Sequence, residues 1–180
     1  MQKILRNRTV EHPSLPQNVA AAKASTDPFT FVVGADPQFG ITSGCKEWET
    51  EMVFSRQAVE YINNMEPKPK FVTMCGDLID MELNMDMFTK KYSRRQCVRI
   101  QKQQNDDFLS VWKNLDPSIP MVCMCGNHDV GNAPTPETIE HYKSIYGDDY
   151  FAFWYLGCYF ICLNTNMYND PKNCSELYNE

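Results

Sequence analysis

One phrase occurs three times in this chain and limits what it can fold into: a short apolar run that closes on a cluster of Gly, Asp and Asn. Residues 29–33 run into Gly34-Ala35-Asp36-Pro37-Gln38, residues 71–75 into Gly76-Asp77, and residues 121–125 into Gly126-Asn127-His128-Asp129. Runs this short and this apolar are what strands buried on both faces require. Between the first two, over about 47–65, Trp48, Met52, Val59 and Ile62 recur at helical spacing around a small Ser55, which predicts a helix lying on a sheet. A polar stretch over about 86–115 predicts a second helix. Strand alternating with helix is the pattern of a parallel sheet, whose strands all end at the same edge.

In open parallel sheets ligands collect beyond the carboxyl ends of the strands. Asp36, Asp77 and Asn127, each just past a predicted strand, are therefore expected to meet although they are far apart in the chain. Further on, Thr135-Pro136 is an N-cap followed by Pro at the first helical position, opening a helix to about Tyr146. Residues 150–155 and 158–163, separated by Leu156-Gly157, are expected to form a hairpin. Residues 1–28 contain three prolines and no hydrophobic period, so a flexible N-terminal arm is expected there and the folded domain over 29–180.

Composition excludes several partners. With 43% hydrophobic and 22% charged residues the chain has the make-up of one ordered domain. A net charge of -6 argues against nucleic acid and anionic membrane surfaces. No stretch approaches the roughly 20 apolar residues of a spanning helix, and the first twenty residues lack a signal-peptide core. A cytoplasmic protein is expected, with its eight cysteines as reduced thiols. Cys123 and Cys125 are expected to be small buried strand residues. The basic cluster Lys90, Lys91, Arg94, Arg95, Arg99 and Lys102 is expected on a solvated helix face.

Two carboxylates and an amide at one sheet edge suit metal-assisted phosphate-ester hydrolysis. That reaction needs a water ionised near neutral pH and positive charge against the phosphoryl oxygens, and two bridged metal ions supply both.

The blocks at Asp36-Pro37-Gln38, Gly76-Asp77-Leu78-Ile79-Asp80 and Gly126-Asn127-His128-Asp129 resemble the first three signature blocks of the calcineurin-like metallophosphoesterases (D-x-H, G-D-x-x-[DH], G-N-H-[DE]). Their surroundings, GADPQFG and GNHDVGN followed by GDDYFAFW, resemble an animal cytosolic branch described as serine/threonine-protein phosphatases. The resemblance implies an α/β fold, the N-terminal portion of an α/β/β/α sandwich with mixed sheets flanked by helices, incomplete at the C-terminus. It implies two divalent metal ions, drawn from Mn, Mg, Fe and Zn, and a phosphorylated protein as substrate. Carried across, Asp36 binds the first metal, Asp77 bridges both, Asn127 binds the second, and Gln38 is a further candidate ligand. His128 faces the phosphate and assists the leaving oxygen, Asp129 orients its ring, and Asp80 supports the site from behind.

Two departures stand against this pattern. Gln38 occupies a position where the wider family has a histidine. Beyond Asp129 the chain has only His141, in a predicted helix, and no G-H-x-H block. The expected function is thus metal-dependent hydrolysis of serine/threonine phosphoproteins. The alternatives are a catalytically deficient truncated isoform or fragment, and a phosphate- or phosphoprotein-binding module without turnover.

Overall fold

A computed structural model describes residues 27–173. The arm expected at 1–28 falls outside the described residues except for its last two positions, as does Cys174. The three repeated phrases form one parallel sheet in the order β1 (Val32–Gly34), β2 (Val72–Cys75), β3 (Met121–Met124). Its register pairs Gly34 with Met74 and Cys75 with Met124, so the three strands finish nearly level. That register brings the three polar clusters to one edge.

Helix α1 (Glu49–Asn63) follows β1 as its apolar spacing requires. The single helix expected over 86–115 is two: a single turn, α2 (Asp86–Thr89), and the long α3 (Arg94–Trp112). Ser93 causes the break. It caps α3 by accepting from Gln96 N, while its own N–H donates to Gln96 Oε1 at 2.9 Å. Such a reciprocal cap is a helix start. After β3 come a single turn, α4 (Asn127–Val130), and α5 (Pro136–Tyr146), the latter capped by Thr135 as expected. The hairpin is β4 (Phe151–Tyr155) and β5 (Cys158–Cys162), antiparallel, with Tyr155 opposite Cys158 across the Leu156-Gly157 turn.

Side-chain alternation along the sheet decides the layers. Val72, Met74, Met121 and Cys123 point to the helices and share a core with Val59, Ile62, Phe108, Trp112 and Tyr142. On the opposite face Phe71 and Val122 pack against Phe151, Phe153 and Cys162 of the hairpin. The Phe71 ring lies 5.6 Å from that of Phe153 and 5.1 Å from that of Phe160. Each such buried side chain contributes about 1.5–3 kcal/mol. The result is a mixed α/β arrangement, with a parallel sheet between helices and an antiparallel hairpin. The outer side of β5 stays open: Tyr159 is 52% and Ile161 62% exposed.

The basic cluster on and before α3 is a surface feature. Lys90 pairs with Asp86 at 2.7 Å, Lys102 with Asp106 at 2.5 Å, and Arg94 Nη1 donates to Leu83 O at 2.6 Å. Among the described residues no helix is long and apolar enough to cross a membrane.

Candidate phosphoesterase site at the strand ends

Backbone hydrogen bonds stitch the first loop to the second. Asp36 N donates to Gly76 O (3.2 Å), Gln38 N to Asp77 O (2.9 Å) and Phe39 N to Leu78 O (3.4 Å). Side chains join the second to the third: His128 N donates to Asp77 Oδ1 at 2.9 Å. The Asp129 carboxylate spans both loops, accepting from Leu78 N at 3.0 Å and Gly126 N at 2.7 Å. Asp36, Asp77, Asn127 and His128 are thereby gathered on three neighbouring loops.

This gathering strains the backbone. Asp36, Gln38 and Asp77 have φ of 53°, 36° and 47°, in the left-handed region that costs a non-glycine residue about 1–3 kcal/mol. The loops also approach so closely that a Cβ on Gly126 would collide with Asp77, and one on Gly76 with the Gly126 backbone. Strain of this kind persists only where surrounding bonds hold it, as the cross-loop bonds do here.

Asp36 is exposed, and Asp77, Asn127 and His128 are half-buried. Asn127 Nδ2 donates to Asn132 Oδ1 at 3.0 Å, which leaves the amide oxygen as the atom suited to a cation. Nδ1 of His128 lies 2.7 Å from the main-chain O of Asp80 and 3.3 Å from its Oδ1. A carbonyl oxygen only accepts, so Nδ1 carries the hydrogen and Nε2 is the bare nitrogen of the neutral ring.

Orienting that ring was expected of Asp129; the structure puts Asp80 beside Nδ1 and uses Asp129 to brace two loops. Burial pushes the Asp129 carboxyl up to about 7, against the opposing pull of the Gly126 N–H, with the Asp77 charge adding to the rise. Gln38 is buried, and its Nε2 donates to Asp80 Oδ1 at 3.2 Å. Sequence reasoning missed two more residues here, one that reaches Asp80 and one that stands behind it. Cys45 Sγ donates to Asp80 Oδ2 at 3.0 Å, and Gln104 Nε2 donates to Cys45 Sγ at 3.5 Å. A signal for the second existed: Gln101, Gln104 and Asn105 interrupt the face of α3 that also buries Cys97, Phe108 and Trp112.

Among the described residues no group of three or more His, Cys, Asp and Glu stands close enough together to hold a metal ion. The donors the corner does offer are two carboxylates, amide oxygens and the bare Nε2 of His128, whose Nδ1 is already committed to Asp80. A two-metal centre needs a bridging carboxylate with further ligands on each ion, and this set does not complete one.

The order of the three blocks, their placement at one sheet edge and the sequence comparisons agree: the chain belongs to the calcineurin-like metallophosphoesterases and matches the N-terminal portion of a longer protein. Over 161 residues it is 42% identical to Serine/threonine-protein phosphatase CPPED1 of Rattus norvegicus, a match covering 84% of this chain and 47% of that protein. The protein of the same name from Homo sapiens is 40% identical over 159 residues, 83% of this chain and 46% of its own length. That of Danio rerio is 37% identical over 164 residues, 86% and 49% respectively. The chain thus spans about half the length of the curated relatives it matches. No family model and no solved structure matches it.

Proposed function

We propose that this chain is a phosphoesterase module, the N-terminal portion of the family's two-sheet sandwich, and that it is catalytically deficient on the donors it carries. The observation behind this reading is the disparity within the corner. Its loops are braced and its histidine is held in one tautomer, yet its donors fall short of two metal ions. In this reading Asp36, Asp77 and Asn127 are the module's share of the ligands, Gln38 and Asp80 support the ring of His128, and His128 faces a leaving oxygen. Without cations the Asp36 and Asp77 carboxylates repel a phosphate dianion, so neither tight binding nor turnover of a phosphate ester follows from these residues alone.

The test is metal content of the purified chain together with hydrolysis of p-nitrophenyl phosphate. Substoichiometric metal, removed by dialysis, and no turnover above background are expected. Stoichiometric, chelator-resistant metal with turnover would overturn the reading.

A second reading is supported by about 40% identity to relatives named as serine/threonine-protein phosphatases. In it the chain contributes to hydrolysis of phosphorylated proteins in the cytoplasm. Two divalent ions would supply the ionised water and the positive charge on the phosphoryl oxygens. The protonated His128 ring would donate from Nε2 while Nδ1–H stays on Asp80. In any preparation that does turn over, His128→Gln should keep its metal and lower kcat by about 100- to 10,000-fold.

A further inference from the structure

We infer that Cys45 is a positioning residue: its thiol, aligned by Gln104, holds the Asp80 carboxylate in the plane that steadies the His128 ring. The inference rests on the reading of His128 given above and goes beyond it, because neither Cys45 nor Gln104 belongs to the three signature blocks.

Four donor contacts converge on Asp80, which is only 2% exposed. Oδ2 receives the Cys45 thiol at 3.0 Å and Oδ1 receives Gln38 Nε2 at 3.2 Å. His128 Nδ1 lies 3.3 Å from Oδ1 and 2.7 Å from the main-chain O. The terminal torsion of an Asp side chain is intrinsically broad, so nothing within the residue fixes the plane of its carboxylate. The donors around it must do so. The ring is reached by one oxygen of that carboxylate, and Cys45 holds the other.

Gln104 determines which way the thiol points. Its Oε1 accepts from Met81 N at 2.9 Å, which turns its Nε2 toward Cys45 Sγ. A sulfur that already accepts one hydrogen bond directs its own hydrogen elsewhere, here onto Asp80. Burial, the largest cause, and the bond to Asp80 push the Cys45 thiol up to about 12, so the hydrogen stays on sulfur at neutral pH.

The loop is shaped to permit this contact. Gly40 has a φ of 113°, and a Cβ there would collide with Gln104 Nε2. Cys45 itself has a φ of 63°, with its N–H on Gly40 O at 2.8 Å. A left-handed, non-glycine residue that delivers a buried donor to a buried carboxylate is strain spent on a contact.

The experiment labels the three histidines of the full chain with nitrogen-15 and records their ring N–H protons by NMR, in chelator and at one fixed pH. His128→Gln assigns the His128 signal. The wild type and Cys45→Ser should both show a downfield, slowly exchanging Nδ1–H proton on His128. In Cys45→Ala that proton should exchange about fivefold faster, the loss of one modest hydrogen bond. Unchanged exchange in a folded Cys45→Ala chain, or a Cys45→Ser chain that behaves like Cys45→Ala, overturns the inference. If Cys45→Ala does not fold, the infrared S–H stretching band decides, read as wild type minus Cys45→Ser. A band displaced to lower frequency, as for a bonded thiol, supports the clamp, and one at the position of an unbonded thiol overturns it. None of these readouts involves hydrolysis. The clamp therefore fails on the NMR signal, whereas the reading of His128 fails if His128→Gln leaves kcat unchanged in an active preparation.

Discussion

At the hairpin turn Leu156 and Gly157 have φ of 44° and 86°; at the strand-end corner Asp36, Gln38 and Asp77 have φ of 53°, 36° and 47°. The same backbone region is used in both places, with different compensation. In the hairpin two left-handed residues give a tight turn whose twist suits the strands, and the paired ladder and the aromatic packing behind it hold the turn in place. Any residue comfortable at positive φ would serve. At the corner the strain belongs to the residues whose side chains matter, and what holds them is polar: cross-loop hydrogen bonds and the buried Asp129 brace. One region is apolar and indifferent to its turn residue. The other is polar and depends on which residue is strained.

The largest expected effect tests the apolar half of that contrast. Phe153→Ala removes a buried ring stacked on Phe160 and should lower stability by about 3–5 kcal/mol in denaturant unfolding. A loss under about 1 kcal/mol would mean the hairpin is not anchored by this packing.

At the corner the comparable lesion is Asp129→Ala. It leaves the Leu78 and Gly126 amides without their acceptor and should cost about 3 kcal/mol in the same experiment. Asp129 also gives the corner a pH dependence between acid and neutral pH. Its carboxyl is raised from 3.8 to about 7 in the folded chain. Between those values the folded chain holds a proton that the unfolded chain has released. The contribution of this group is therefore present below about pH 4 and is lost as pH rises toward about 7. Urea midpoints at about pH 5 and about pH 7.5 should differ in the wild type, and the difference should shrink in Asp129→Asn.

Metal response should separate the regions again. Oxygen donors suit manganese weakly, so added Mn²⁺ should broaden the amide signals of Asp36, Asp77, Asn127 and His128 and leave β4 and β5 sharp, reversibly with chelator. Asp77→Asn should weaken that response by more than about tenfold, roughly 1.4 kcal/mol. Equal broadening in the hairpin would remove the distinction.

The smallest effect is at the turn. Leu156→Asn places a residue that tolerates positive φ ahead of Gly157 and should raise stability by about 0.5–1 kcal/mol, near 2 °C in Tm. No comparable exchange is open at Asp36 or Asp77, since relieving their strain with glycine deletes the carboxylate.

Period, turn chemistry and caps act over a few residues, and for that reason the amino-acid sequence by itself determined the three strands, α1, the capped α5, the Leu156-Gly157 hairpin and the edge where Asp36, Asp77 and Asn127 gather. The break before α3 was legible too, in the Ser93 and Gln96 spacing, although the polar character of 86–115 reads at first as one helix. Partnerships among buried side chains were not legible. That His128 rests on Asp80 and not on its neighbour Asp129, that Gln38 turns its amide to Asp80, and that Cys45 and Gln104 arrive from other elements were decided only by the tertiary structure. Each depends on rotamers and on which donor reaches a desolvated oxygen, and a buried polar atom takes whatever partner the packed fold brings within about 3 Å, however distant in the chain.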